Sequence, residues 1–259
     1  MTIAAWNVNS ILARLPVALA VLRELSPDIV CLQEIKCEDD RFPRLEIEDL
    51  GYNVETHGQK SYNGVALLSK HRITDVTRGL PTFEHEHARY IEGVIEAPSG
   101  PIRVASLYAP NGNPIGTEKF NLKLDFLDAL RDHARALLRT EEKFAIAGDY
   151  NIIPRDEDAD DPKSWLGDAL FTPEAKGKYR ALLNLGLTDA FMQTDGRARQ
   201  FTFWDYQAGA WRRDHGIRID FVMLSPQAAD KLDGFRVHKD ARAMEKASDH
   251  VPVIATLRD

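Results

Sequence analysis

The sequence predicts an α/β protein in which two mixed β-sheets pack face to face and helices cover their outer faces. Three features support this prediction. Segments with strand composition outnumber helical segments, and several of them follow one another directly. The helical segments carry the apolar stripe of helices that pack on a sheet. No linker or internal repeat interrupts the 259 residues, so residues 1–259 are expected to form a single domain.

The first half of the chain is rich in predicted strands. Residues 3–8 have strand composition, and four leucines between positions 15 and 25 recur at helical spacing before the break at Ser26-Pro27. The apolar run at 28–32 predicts a strand that is buried on both faces. Further strands are predicted at 52–56, 64–69, 73–78, 90–96 and 102–108.

The second half contains the longest predicted helix, marked by apolar residues at steps of three and four between Phe120 and Leu137. Thr172-Pro173 combines an N-cap residue with a proline at the first helical position. A helix is therefore expected from there to about Asn184, and Ser225-Pro226 repeats the pattern. The remaining strands are predicted at 143–148, 218–224, 234–238 and 251–257.

The composition excludes several classes of protein. With 44% hydrophobic residues and a formal net charge of −7, the chain is not a disordered polyelectrolyte. No apolar run approaches the roughly 20 residues of a membrane span, and the N-terminus lacks a secretory signal pattern. Two cysteines, Cys31 and Cys37, cannot form a disulfide framework, which favours the cytoplasm. The acidic balance argues weakly against a nucleic-acid partner, although one basic face is enough to bind DNA.

Polar side chains end most of the predicted strands. A sheet core does not bury lone carboxylates, but strand ends can gather them at one rim. Two carboxylates about 4 Å apart repel by roughly 4 kcal/mol at an effective dielectric near 20, so such a cluster requires a cation. Oxygen ligands suit Mg²⁺, and no Cys/His spacing indicates zinc. The pattern favours metal-assisted hydrolysis of a phosphate ester; alternatively, each acid is a surface charge or helix cap. The strand-end residues are Asn7, Asn9, Glu34, Tyr108, Asn111, Asp149, Asn151, Asp220, Asp249 and His250.

Eight short motifs extend from the first predicted strand to the last. In this content and order the chain resembles exonuclease III and the related apurinic/apyrimidinic endonucleases. The resemblance implies a four-layer α/β sandwich with its site at the rim of the two sheets. It also implies cleavage of DNA on the 5′ side of an abasic site, leaving a 3′-hydroxyl, with removal of 3′ blocking groups and 3′-to-5′ degradation of duplex DNA. The motifs are Trp6-Asn7-Val8-Asn9-Ser10, Leu32-Gln33-Glu34-Ile35-Lys36, Gly64-Val65-Ala66, Tyr108-Ala109-Pro110-Asn111-Gly112, Gly148-Asp149-Tyr150-Asn151, Phe201-Thr202-Phe203-Trp204-Asp205-Tyr206, Arg218-Ile219-Asp220 and Ser248-Asp249-His250-Val251-Pro252-Val253.

The resemblance implies one group of metal-binding residues. Glu34 matches the metal ligand, Asn7 lies close to it, and Asp249 matches a carboxylate near the metal. Mg²⁺ is the expected ion and Mn²⁺ the alternative. Lys36 helps to order this region and is expected to face DNA; a solvated surface charge is an equal alternative.

The resemblance implies a second group for the chemistry. Asp149 and Asn151 match the residues that position and deprotonate the attacking water. His250 matches an imidazole near the scissile phosphate, and Asp220 the carboxylate that fixes its tautomer. Tyr108 matches a tyrosine whose hydroxyl reaches the phosphate. Either Asp149 or His250 could be the general base; Asp149 is favoured, with His250 as an imidazolium.

A third group is expected to bind duplex DNA that carries abasic sites or blocked 3′ ends. Asn111 and Arg89 match backbone-facing positions, although a surface arginine explains Arg89 equally well. Phe203, Ile217 and Ile219 match a small apolar pocket that admits an extrahelical abasic sugar. Further candidates for a positive track are Arg14, Arg212, Arg213 and Arg218.

Three further expectations concern the rest of the molecule. DNA affinity should fall steeply with salt, and the protein should be a monomer. The acidic segment 156–161 is interpreted as a solvated loop. Trp204 and Cys31 are interpreted as core residues.

Two other functions stay open at this stage. One is hydrolysis of a different phosphoester by a related enzyme. Many such enzymes carry a second histidine near the position where this chain has Tyr108, so Tyr108 favours the repair class. The other is a binding module that has kept the fold and lost the chemistry. The intact acids and His250 argue against the second reading.

Ile217 stands where some relatives carry Trp, and a smaller wall weakens discrimination by size. We expect Ile217→Trp to raise the ratio of abasic-site incision to 3′-end degradation, measured on one end-labelled duplex containing a single abasic site. An unchanged ratio contradicts this hypothesis.

Overall fold

The computed structural model describes residues 1–258 and contains two six-stranded sheets. Each sheet mixes parallel and antiparallel pairs, as predicted. The strands are β1 (Thr2–Asn7), β2 (Ile29–Gln33), β3 (Asn53–His57), β4 (Val65–Ser69), β5 (Ile73–Arg78), β6 (Tyr90–Ile95), β7 (Ile102–Tyr108), β8 (Phe144–Asp149), β9 (Thr188–Asp189), β10 (Asp220–Leu224), β11 (Leu232–Val237) and β12 (Val253–Leu257). The α-helices are α1 (Leu15–Leu25), α2 (Arg44–Glu48), α3 (Glu118–Leu138), α4 (Pro173–Asn184), α5 (Ala190–Thr194), α6 (Ala210–Arg213) and α7 (Pro226–Ala229).

The two sheets share one topological plan. The first has the order β11-β12-β1-β2-β4-β3, and the second has the order β5-β6-β7-β8-β10-β9. Each contains one parallel pair near its middle, β1 with β2 and β7 with β8, and each pair is joined by a crossover helix, α1 or α3. The carboxyl ends of a parallel pair lie at the same edge of its sheet. Side chains that follow these four strands are therefore collected at the rim.

Three apolar layers hold the four-layer sandwich together. Ile3, Cys31 and Val104 belong to the layer between the sheets. The outer face of the first sheet packs against α1 through residues such as Val21. The outer face of the second sheet packs against α3 and α4 through residues such as Leu130. The predicted four-layer α/β sandwich is confirmed.

The predicted elements agree closely with the structure. Strands β5 and β7 have the predicted bounds, and the other long strands differ by one or two residues at their ends. Thr172 caps α4 by accepting a hydrogen bond from the Ala175 N–H, and Ser225 caps α7 in the same way. The elements that the sequence did not predict are short: α2, α5, α6 and β9. None of them carries a long apolar stripe.

Two expectations about charged residues are wrong. Arg218 is 0% exposed and lies between two carboxylates, Asp158 at 2.9 Å and Asp189 at 2.8 Å, so it does not belong to a DNA-facing track. Asp158 is buried in turn and also pairs with Arg155, so segment 156–161 is not a wholly solvated loop. A buried charge requires such partners because an unpaired ion loses its hydration.

Other expectations about the interior are confirmed. Trp204 is 0% exposed, and its indole N–H donates to Asp214 at 3.1 Å. Cys31 and Cys37 are buried free thiols. Among the described residues, no helix combines the length and the apolar character that crossing a membrane requires.

At Gly148, strand β8 lies so close to β7 that it leaves no room for a side chain. A Cβ atom at this position would lie 2.0 Å from the Leu107 carbonyl oxygen. We expect Gly148→Ala to lower the free energy of unfolding by more than about 3 kcal/mol, measured by denaturant titration. Gly51→Ala is the matched control, since Gly51 also has positive φ but no atom within 4 Å of its Cβ position, and should lose about 1–2 kcal/mol. Equal losses would contradict the packing argument.

Candidate active site

The carboxyl ends of the four central strands meet at a cavity of about 340 Å³. The cavity is lined by both polar and apolar side chains. The polar lining contains seven of the predicted residues: Glu34, Tyr108, Asn111, Asp149, Asn151, Asp249 and His250. The apolar lining contains Phe203, Ile217 and Ile219 with two unpredicted neighbours, Trp165 and Leu170. The structure therefore brings side chains from the whole length of the chain into one site.

Sheet register places three of the predicted site residues side by side. Tyr108 on β7 is paired with Asp149 on β8, and Asp149 is paired with Asp220 on β10. Two carboxylates directly opposite each other destabilise a sheet unless a positive charge lies between them. In this site His250 supplies that charge.

His250 lies between two buried carboxylates. Its Nδ1 is 2.9 Å from an oxygen of Asp220, and its Nε2 is 3.8 Å from Asp149 Oδ2. Asp220 is itself oriented by the Thr202 hydroxyl, which donates at 2.6 Å. Burial lowers the pKa of His250, but Asp220 and then Asp149 outweigh it and raise that pKa to about 10. The imidazole is therefore protonated at neutral pH.

Asp149 is buried and only 1% exposed. Burial raises the pKa of its carboxyl above the ordinary value, His250 opposes this change and Asp220 adds to it. Two hydrogen bonds favour the ionised form: the Asn151 backbone N–H donates at 2.9 Å and Asn7 Nδ2 at 3.0 Å. Asp149 is thus a carboxylate that holds a proton more readily than a surface aspartate.

Asn7 links the two sheets through its side-chain amide. Its Nδ2 donates to Glu34 at 2.8 Å and to Asp149 at 3.0 Å, while its Oδ1 accepts the Asn9 N–H at 3.0 Å. Because the Asn9 N–H occupies the amide oxygen, the N–H group faces the two carboxylates. Asn7 therefore lies next to Glu34, as predicted, but acts there as a hydrogen-bond donor.

Glu34 is held by a chain of polar contacts. Lys36 Nζ lies 2.7 Å from Glu34 and donates to Asn9, which in turn donates to Asp249 at 3.1 Å. Burial raises the pKa of Glu34, but the charge of Lys36 and the Asn7 hydrogen bond exceed this effect and leave it below the ordinary value. Glu34 is therefore ionised at neutral pH. Lys36 is an ion-pair partner within the site, not a solvated surface charge.

Tyr108 and Arg89 form a cationic, hydrogen-bonding edge. The Arg89 guanidinium lies 4.7 Å from the centre of the Tyr108 ring and is half-buried, so Arg89 is not a free surface arginine. Burial, with the charges of Glu34 and Asp149, raises the pKa of Tyr108 well above its ordinary value. The Tyr108 hydroxyl therefore stays protonated and can donate a hydrogen bond to an anion.

Asn151 and Asn111 close the polar wall. The Asn151 amide donates to the Ala109 carbonyl at 2.9 Å, and its oxygen accepts from Asn111 at 3.4 Å. Asn9, Glu34, Lys36 and Asn151 all have positive φ. Non-glycine residues in this region are strained by roughly 1–2 kcal/mol each, and such residues cluster at functional sites.

Sequence reasoning missed several residues that support the site. Thr202 orients Asp220, and the Ser248 hydroxyl donates to the Asn7 carbonyl at 2.7 Å. Both lie inside predicted motifs in which neighbouring residues carry the predicted roles. Trp165 and Leu170 lie outside every motif, and no pattern in the sequence assigns them to the pocket.

The donor set fits a hard divalent cation. Ligand atoms of Asp149, Asp220 and His250 lie within 4.8 Å of one another, and Glu34 shares a donor with Asp149. His250 is already paired with Asp220. The oxygen atoms that Mg²⁺ prefers are therefore presented by Glu34 and Asp149. The pKa of Asp149 is raised because burial destabilises its ionised form, so a nearby cation would stabilise this carboxylate.

Comparison with known proteins agrees with this geometry. A model of the endonuclease/exonuclease/phosphatase family matches residues 4–250, and the chain belongs to this family. It is 34% identical to exodeoxyribonuclease III of Haemophilus influenzae, with complete coverage of both chains. It is 30% identical to DNA repair nuclease APEX1 of Danio rerio, covering 98% of this chain and 81% of that one. The predicted class of enzyme, a hydrolytic nuclease, is confirmed.

Solved structures agree over the whole fold. An AP endonuclease from Archaeoglobus fulgidus has a TM-score of 0.94 and 32% identity, covering 99% of each chain. The 3′ phosphatase NExo from Neisseria, bound to a product DNA hairpin, has a TM-score of 0.95 and 35% identity, covering all of both chains.

The charge of His250 can be tested without substrate. We expect Asp220→Asn to lower the pKa of His250 towards its ordinary range, because the substitution removes the carboxylate that stabilises the protonated imidazole. In the native protein the ion pair that raises this pKa stabilises the folded state. Its full contribution is present below about pH 6.5 and is lost as the pH rises towards 10. The variant should lose this pH dependence. The measurement is an NMR titration of the imidazole nitrogens in buffer with chelator.

Asp205→Asn is the matched control for that titration. Asp205 lines the same cavity, but its carboxylate accepts the Gln207 N–H. It should leave the pKa of His250 unchanged. A native His250 that deprotonates near pH 6.5 would contradict the proposed pairing.

Proposed function

We propose that this protein is a Mg²⁺-dependent DNA repair nuclease that cleaves the backbone on the 5′ side of abasic sites and leaves a 3′-hydroxyl. We also propose 3′-to-5′ exonuclease and 3′-end-cleaning activities on duplex DNA. One observation carries the proposal: Glu34, Asp149 and His250, which is paired with the buried Asp220, line the same cavity as the apolar residues Phe203, Ile217 and Ile219. The activities named for the relatives support the choice of DNA as substrate.

The metal would be held by Glu34, with Asp149 and Asp249 nearby. When bound, Mg²⁺, or Mn²⁺ as an alternative, would neutralise charge on the phosphate and act as a Lewis acid. Asn7 would serve this site by fixing the Glu34 and Asp149 carboxylates relative to each other.

Asp149 would act as the general base. His250 is unsuited to that role because its pKa of about 10 keeps it protonated. Asp149 has a raised pKa, which makes it a better base than a surface aspartate, and the Asn151 backbone N–H orients it. The Asn151 side chain would help to position the water. His250 would remain an imidazolium and stabilise the charge that develops on the phosphorane, while Asp220 holds its tautomer.

The remaining polar residues would bind the DNA backbone. The Tyr108 hydroxyl would donate a hydrogen bond to a phosphate oxygen, and Arg89 would add positive charge beside it. Asn111 is exposed and Lys36 is partly exposed, so both can reach the backbone. Arg14, Arg212 and Arg213 stay candidates for a wider positive track, and the steep salt dependence stays a prediction.

The apolar pocket would select the lesion. Phe203 packs edge-on against His250 at 4.9 Å between ring centres, which places the pocket beside the catalytic cluster. Ile217 and Ile219 are buried neighbours. An abasic sugar has no base to hydrogen-bond, so a small apolar wall can admit it and exclude an intact nucleotide by size.

A single domain, a monomeric state and a cytoplasmic location stay predictions from the sequence. Buried free thiols at Cys31 and Cys37 are compatible with a reducing compartment.

Incision of a duplex with a single abasic site tests the proposal. We expect activity with Mg²⁺ and none with chelator. Asp149→Asn and His250→Ala should each reduce kcat by at least about 100-fold, because each removes a group that acts in the transition state. Asp132→Asn is the control, since Asp132 is an exposed residue of α3 paired with Arg131 and Arg135, and should retain full activity.

Two outcomes would point elsewhere. Equal cleavage of undamaged duplex would favour a different phosphodiester substrate. Absence of activity on both duplexes would favour a phosphatase of the same family or an inactive binding module.

A further inference from the structure

A lysine is buried in the apolar stripe of α3. The buried residues of this helix are Phe126, Leu127, Leu130, Ala134 and Lys123, which share one face. Lys123 is 0% exposed, although burying an ammonium group is unfavourable unless its hydrogen bonds are satisfied. Its presence in this stripe therefore requires a specific set of acceptors.

Three backbone carbonyls provide those acceptors. Lys123 Nζ donates to Asn111 O at 3.0 Å, to Asn151 O at 2.6 Å and to Ala169 O at 3.0 Å. An ammonium group has three N–H donors, so this arrangement uses all of them. The three carbonyls come from three separate loops: the one after β7, the one directly after β8 and the one directly before α4. The last two belong to one long connection, which 3₁₀ helices at Asp156–Asp158 and Pro162–Trp165 divide.

The same three loops supply walls of the candidate active site. Asn111 and Asn151 contribute side chains to the cavity, and Leu170 directly follows Ala169. A second contact joins two of the loops, because Asn113 accepts the Ala169 N–H at 2.9 Å and donates to Asp168 at 3.1 Å. Together these contacts form a junction between the three loops, and Lys123 is the residue in it that contacts all three.

The backbone is shaped around the lysine. Gly112 has a φ of +88°, and a Cβ atom there would lie 2.6 Å from Lys123 Cδ. The loop after β7 thus passes so close to the lysine stem that a side chain at 112 would collide with it. This contact is independent of the hydrogen bonds at Nζ.

We propose that Lys123 is a positioning residue that holds the three active-site loops in register and thereby fixes Asn151 and Asn111 for the reaction. This inference rests on the proposed function. Lys123 touches no reacting group; it acts through the loop backbones. Burial also lowers the pKa of Lys123 to about 7, with Asp168 and Asp149 opposing the effect.

Lys123→Met tests the proposal because it keeps the length of the stem and removes the three donors. Leu130→Ala is the matched control, a buried substitution about two turns further along the same stripe that leaves the three hydrogen bonds of Lys123 in place. Both variants are assayed on abasic duplex and by hydrogen exchange followed by mass spectrometry.

We expect Lys123→Met to reduce kcat by about 10- to 100-fold, with KM changed by less than about threefold, because misplaced groups slow the chemical step. Exchange should accelerate by at least about tenfold in segments 109–113, 150–153 and 167–171. Leu130→Ala should lose stability without either effect. Gly112→Ala, which keeps the ammonium group, should accelerate exchange in the same segments and provides the test if Lys123→Met does not fold.

The proposal is overturned if Lys123→Met behaves like Leu130→Ala, or if Gly112→Ala leaves exchange in these segments unchanged. Failure of the proposed function is distinguishable, since the native protein would then leave abasic duplex uncut while the exchange measurements still report on the junction.

Discussion

The arrangement of two buried carboxylates around one imidazolium is the constraint on which the site depends. Asp149 and Asp220 face each other across β8 and β10, and His250 reaches between them from the segment before β12. Two unpaired carboxylates at this depth would repel each other and lose their hydration. The protonated His250 makes the pair tolerable. Because His250 is held in this role, Asp149 is the residue that we propose as the proton acceptor.

The fold supplies this geometry through its two parallel strand pairs. Both pairs end at the same rim, so Asn7 and Glu34 of one sheet meet Tyr108 and Asp149 of the other. Asn7 is the direct link, since its amide donates to a carboxylate from each sheet. The positive groups at the rim are Lys36, His250 and Arg89, which are fewer than the four carboxylates of Glu34, Asp149, Asp220 and Asp249. A divalent cation would correct this imbalance.

Much of the fold and the polar half of the site could be predicted because both follow local rules. Strand composition, helical spacing and the pairs Thr172-Pro173 and Ser225-Pro226 identify elements without tertiary information. Burial could not be predicted in this way. Arg218 resembles a DNA-binding arginine in sequence, but Asp158 and Asp189 hold it in the interior. Lys123 is absent from the predicted apolar stripe of α3, and only the three carbonyls at its tip explain why it is buried there.

We propose that strand ends from both sheets form one divalent-cation site. Crystals of the protein soaked in Mn²⁺ and measured near the manganese absorption edge would locate that ion directly. We expect an anomalous peak in the cavity, within coordination distance of Glu34, that disappears in Glu34→Gln. A cavity without a peak, or a peak that Glu34→Gln leaves in place, would contradict it.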